Sequence, residues 1–168
     1  IQNSGQTAID SARNREGIVA PSRVMVIGLD AATLKLLRPF AEAGRLPNLK
    51  SFMDEGAAGV LRSTMPPNSP AAWSTFATGI NPGNHGILTF HQYLPHDYNP
   101  HLMNASHRSG STFWEIAGRH GKIGGIINVP YTYPPRPFNG FLISCMLTPG
   151  VSRAMTSPPE VYDDLMKV

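Results

Sequence analysis

Apolar runs without alternation, separated by helix-patterned stretches, set the rhythm of this chain. Residues 24–29, Val-Met-Val-Ile-Gly-Leu, are apolar without a break. A half-buried strand would alternate, so this run predicts a strand covered on both faces, as in a parallel sheet. Residues 58–63 predict a second strand, 122–129 a third, and 141–147 a further strand-like run around Cys145. Helices are predicted between them. One covers 34–43, with Pro39 as a kink or early end and Gly44 as its stop. Another covers 46–56, with Leu49, Phe52 and Met53 turned to a core. A third covers 71–78, entered through Ser69-Pro70 and closed by Gly79. Thr112-Phe-Trp-Glu115 is a capping box opening a helix that ends near Gly121, and Ser157-Pro-Pro-Glu160 is another, ahead of Val161, Tyr162, Leu165 and Met166. Strand and helix in alternation predict an α/β domain over 23–168. Residues 1–22 are polar and aperiodic and read as a flexible leader.

Two side chains stand where chemistry gathers. Asp30 ends the first predicted strand, and open α/β sheets bind ligands outside the carboxyl ends of their strands. Its hard anionic oxygens suit a divalent cation; N-capping the next helix is the other reading. Ser69 stands at the mouth of a helix, where a hydroxyl either caps the helix or faces a phosphate drawn by free N–H groups and the dipole. A serine hydroxyl needs a base or a metal to become a nucleophile, and Asp30 could hold a metal against it. Pro70 has no N–H, so the amides of Ala71 and Ala72 are the candidates for holding a phosphoryl oxygen. His91, His96, His101 and His107, with Asp97, fall in a stretch broken by Pro95 and Pro100. It reads as a loop that shapes a substrate pocket, with metal binding as the lesser reading.

The run VMVIGLDAATLKLLRPFAEAGRLPNLKSFMDEGAAGVLRSTMPPNSPAAWSTFATGINPGNHGI resembles the N-terminal part of the type I phosphodiesterase/nucleotide pyrophosphatase family, in the alkaline phosphatase superfamily. The closest look is to its predicted phosphohydrolase/phosphomutase branch. The likeness continues through GSTFWEIAGRHGKIGGIINVPYTYPPRPFNGFLISCMLTPG and SPPEVYDDL. It implies an alkaline phosphatase-like three-layer α/β/α fold with a mostly parallel sheet. It also implies a metal-dependent phosphoester hydrolase acting on a small phosphate ester. Asp30 matches the family's first metal-ligand aspartate, and Ser69 the Thr or Ser that attacks phosphorus and touches a metal. The Asn-Pro-Gly-Asn-His85 segment matches a signature beyond the nucleophile helix, with His85 as a supporting residue. The cofactor implied is a pair of divalent ions, zinc foremost. Ala72 stands where characterised nucleotide pyrophosphatases usually carry an Asn on a phosphoryl oxygen, and Trp73 departs from their pattern too. Ser69 lacks the x-Pro-x-Arg that follows a sulfatase nucleophile. The rival reading is a non-catalytic relative or binding module that kept the fold and lost the metal site.

The family's remaining metal ligands lie later in its chains, so this sequence is expected to be an incomplete, N-terminal portion, inactive on its own. Charged residues are 15% of the chain, low for a free-standing domain and in keeping with surface covered by further chain. A net charge of +3 is spread without a stripe, which argues against a nucleic-acid groove. Cys145 is the single cysteine, expected to be buried and inert. No stretch approaches the roughly 18 apolar residues of a membrane span. Cytoplasmic is the default compartment, and the oligomeric state is left open.

Overall fold

A computed structural model describes residues 23–167; the leader predicted over 1–22 lies outside them. Among the described residues the order is α1 (Leu34–Glu42), α2 (Pro47–Glu55), α3 (Ser69–Thr78), α4 (Pro82–His85), β1 (His91–Gln92), β2 (His101–Leu102), α5 (Phe113–Arg119), β3 (Gly124–Ile127), β4 (Gly140–Ile143), β5 (Thr156–Ser157) and α6 (Val161–Leu165). The architecture is mixed α/β with small sheets. β3 pairs β4 in parallel and β4 pairs β5 antiparallel, while β1 and β2 form a separate antiparallel ribbon. The described residues thus form one parallel pairing, not the three-layer, mostly parallel sheet expected.

The difference begins at the two apolar runs in the first third. Residues 24–29 are extended but join no ladder, and Val24, Met25 and Ile27 are 77%, 86% and 75% exposed. The run at 58–63 behaves alike, with Val60 86% and Leu61 93% exposed. An apolar run carries a demand for burial, but a strand also needs neighbours for its N–H and C=O groups, and those are set by distant sequence. The run at 122–129 does find a partner, as β3, though it alternates between half-buried and exposed positions and leaves Ile127 62% exposed. Gly140, at φ +148°, lets β4 lie beside β3: a Cβ there would overlap the carbonyl oxygen of Gly124.

Helices follow local signals more closely. α1 retains Pro39 within it, and it packs on α2. α2 has no buried residue and leaves Phe52 76% exposed, so Leu49, Phe52 and Met53 do not face a core. α5 opens with the expected capping box: Thr112 Oγ1 accepts from Glu115 N at 3.4 Å, and Glu115 Oε2 accepts from Thr112 N at 2.6 Å. The box expected at Ser157 does not form, because Ser157 pairs with Leu142 in the sheet and α6 starts only after Glu160. The stretch expected as a loop at 87–108 contains the β1–β2 ribbon.

Burial concentrates around α3, α4 and the segments beneath them. Ile87, Met103 and Tyr131 form one cluster, with Leu147 against it. An aromatic chain joins α3 to α5: Trp73 meets Phe76 at 5.6 Å, Phe76 meets Phe113 at 5.6 Å, and Phe113 meets Trp114 at 4.9 Å, all edge to face. Cys145 is a buried free thiol, as its apolar run implied.

Candidate active site

The start of α3 fixes the site. Asn68, not Ser69, is the N-cap: its side-chain oxygen accepts from Ala71 N at 3.1 Å. Ser69 is the first helical residue, and its hydroxyl is released from capping. That hydroxyl points across 39 positions of sequence to Asp30, donating within 3.2 Å of both Oδ1 and Oδ2. Asp30 in turn caps no helix, since α1 begins after Thr33. Neither local role therefore accounts for either side chain.

Asp30 is oriented by more than the serine. Its Oδ1 accepts from Ala31 N at 3.1 Å and from Trp73 Nε1 at 3.3 Å. Ala31 has φ +57°, a left-handed conformation that a residue with a Cβ adopts at a cost of about 1–2 kcal/mol. The strain falls immediately beside the carboxylate. Trp73 lies one turn beyond Ser69 on the same helix face, which is how one helix reaches Asp30 twice. Gly28 makes room for the ring: a Cβ there would run into the Trp73 indole, with Cζ3 only 2.9 Å away. Oδ2 accepts from Ser69 alone, so it retains capacity for a cation.

The amides expected to hold a phosphoryl oxygen are already engaged. Ala71 N donates to the Asn68 side chain, and Ala72 N donates to Asn68 O at 2.9 Å. A ligand oxygen at Ala71 or Ala72 would compete with the cap. The Ser69 N–H, two residues before Ala71, donates to no acceptor among the described residues.

His85 stands behind the site, fully buried at the end of α4. Its Nδ1 accepts from Ile87 N at 3.1 Å, which places the ring proton on Nε2, 3.0 Å from Thr75 Oγ1 on α3. Burial is the main cause lowering its pKa, and the charge of Arg108 acts in the same direction against the opposing Ala71 carbonyl. The ring is thus a neutral peg between α4 and the helix that carries Ser69.

The remaining histidines do not join the site. His101 Nε2 lies 2.6 Å from Asp97 Oδ2, and the Asn99 N–H, then His101, hold the Asp97 carboxyl below its usual range. Among the described residues no three His, Cys, Asp or Glu side chains converge on a possible metal position. The donors that fit a divalent ion are Asp30 and Ser69, one edge of a coordination shell where catalytic zinc takes three protein ligands. Sequence reasoning passed over three members of this site: Asn68, Trp73 as a partner of Asp30, and Thr75. Asn is as good a cap as Ser, and Trp73 is four residues from Ser69, so both signals were present.

Among the described residues no helix is long and apolar enough to cross a membrane. No curated protein and no solved structure matches the chain. A family model does, over residues 24–167, from the run preceding Asp30 to the end of α6 and beyond. By that match the chain belongs to the type I phosphodiesterase / nucleotide pyrophosphatase family, a family of phosphoester hydrolases that are generally metal-dependent.

Proposed function

We propose that this chain carries the nucleophile of a metal-dependent phosphodiesterase or pyrophosphatase site, with Ser69 attacking phosphorus. The observation that carries the reading is the Ser69–Asp30 contact, 3.2 Å to both carboxylate oxygens, made by a serine that Asn68 has relieved of capping. Asp30 orients the hydroxyl and offers Oδ2 to a cation; Trp73 and Ala31 N hold Oδ1 in place. A pair of divalent ions, zinc foremost, with further ligands from outside the described residues, would supply Lewis acidity and ease ionisation of the hydroxyl. The Ser69 oxygen forms a bond to phosphorus as the ester oxygen leaves with a proton, giving a phosphoseryl group. Water then cleaves that P–O bond, restoring the serine and releasing phosphate or a phosphomonoester. The positive end of the α3 dipole and the free Ser69 N–H favour the anionic phosphoryl group throughout.

The test is Ser69→Ala in the complete protein loaded with zinc, assayed on a nitrophenyl phosphodiester. Turnover should fall about a thousandfold or more, as for other removed nucleophiles, with metal content unchanged. Full activity in the variant would remove Ser69 from the reaction.

A further inference from the structure

A cleft lined by two arginines lies on the side of α5 away from α3. Helix α5 meets α3 at Phe76, seven positions and about 10 Å of helical rise from Ser69. Beyond that contact, α5 and the segment leading into β4 form the walls of an open surface cleft of about 340 Å³. Arg119 and Arg136 line it, together with Ser111, Glu115, Phe138 and Asn139. No residue of the Asp30–Ser69 site contributes to its walls.

Its electrostatics are unbalanced. Among the described residues, neither Arg119 nor Arg136 has a carboxylate within salt-bridge range. Arg136 gives one hydrogen bond, to Ala105 O at 3.3 Å, leaving most of its five N–H groups uncommitted. The carboxylate in the cleft, Glu115, has its Oε2 drawn to Thr112 N in the capping box. Arg108 is 5% exposed, with Nη1 on Tyr131 O at 2.7 Å and a buried Nε that has no partner. Burial first, and then the charge of Arg136, hold the Arg108 guanidinium below its usual pKa, against the opposing pull of Glu115. Arg136 thus stands between the cleft, which it lines with Arg119, and the buried Arg108 behind it.

We propose that this cleft binds a phosphate group, free or as the end of a small phosphomonoester, between the guanidinium groups of Arg119 and Arg136. Two planar forks match the geometry of a tetrahedral dianion, and the Ser111 hydroxyl adds a neutral donor. The volume exceeds what phosphate alone requires, and Phe138 offers an apolar wall to an organic substituent. The ordinary alternative is that both arginines are simply solvated, with Arg119 in the last turn of α5 serving the helix dipole. That reading gives neither arginine any selectivity for phosphate. The site does not depend on the chemistry assigned to Ser69.

Titration calorimetry decides between them. Inorganic phosphate is added to the full chain with a chelator present and ionic strength held constant with chloride; phenyl phosphate forms a second arm. Saturable binding at one site per chain is expected. It should weaken about tenfold or more in Arg119→Gln and in Arg136→Gln, and persist in Ser69→Ala. The Arg119 side chain makes no hydrogen bond among the described residues, so Arg119→Gln disturbs the fold less than Arg136→Gln, which gives up the bond to Ala105 O. Tighter binding of phenyl phosphate would identify a phosphomonoester ligand, and equal binding would identify free phosphate. Absence of saturable binding, binding that survives both arginine variants, or loss of binding in Ser69→Ala would each overturn the proposal.

Discussion

Asp30 Oδ1 takes three donors, from Ser69, Trp73 and Ala31, while Oδ2 takes only the serine. The carboxylate is therefore held by one oxygen and available through the other. Trp73 is the least expected of these partners and the easiest to perturb. In Gly28→Ala the new methyl occupies the space of the indole, and a side chain can swing where backbone could not. The expected result is a displaced Trp73, read as a change in tryptophan fluorescence, with little loss of stability. Trp73→Phe removes the Nε1 donor and keeps the ring. Both variants should lower turnover about tenfold through a misdirected Asp30, and unchanged kinetics in both would deny Trp73 a positioning role. Asp30 and Ser69 stood out in the sequence because each was expected at an element boundary; Ser69 does open α3, whereas Asp30 follows a run that forms no strand. Their direct contact did not stand out, because 39 residues and an unpaired segment separate them.

Helices α3 and α4 behave as one unit, pinned by the bond between Thr75 and His85. A buried neutral histidine gives this unit a pH dependence with a definite sign. Above about pH 6.5 the ring is neutral whether the chain is folded or not. Below that value the unfolded chain takes up a proton that the folded ring, its pKa lowered by burial, resists. Stability is thus whole above pH 6.5 and is lost as pH falls toward the lower, folded value. His85→Gln should cost about 1–3 kcal/mol at pH 7.5 through imperfect hydrogen bonds. It should also flatten the decline in melting temperature between pH 7.5 and 5.5. An equally steep decline in the variant would mean that another group sets the acid sensitivity.

Element by element, what could be read in advance was what local sequence decides. The capping box at Thr112 and the glycine closing α3 act on their own neighbours and appear where expected, whereas α1 runs on past Pro39 to Glu42. Ser157-Pro-Pro-Glu160 has the same local pattern, but tertiary pairing with Leu142 claims Ser157 for a strand. Strands were read less well for a related reason. An apolar run states that burial is needed and leaves the neighbour unnamed. Residues 122–129 found one in β4, and residues 24–29 and 58–63 found none among the described residues.

Across the whole molecule, the family match runs over residues 24–167, and the Asp30–Ser69 contact lies within it. The matched region contains Asp30, Ser69 and His85, and the structure gathers the first two at one point with the third bracing the helix behind. The central claim is that this point is one edge of a divalent-metal site facing a serine nucleophile. The most direct test is elemental analysis of the complete protein after zinc loading and dialysis, beside Asp30→Asn and Ser69→Ala. The account predicts about two ions per chain in the parent, a clear fall in Asp30→Asn and little change in Ser69→Ala. A parent that retains no metal, or an Asp30→Asn variant that retains as much as the parent, would contradict it.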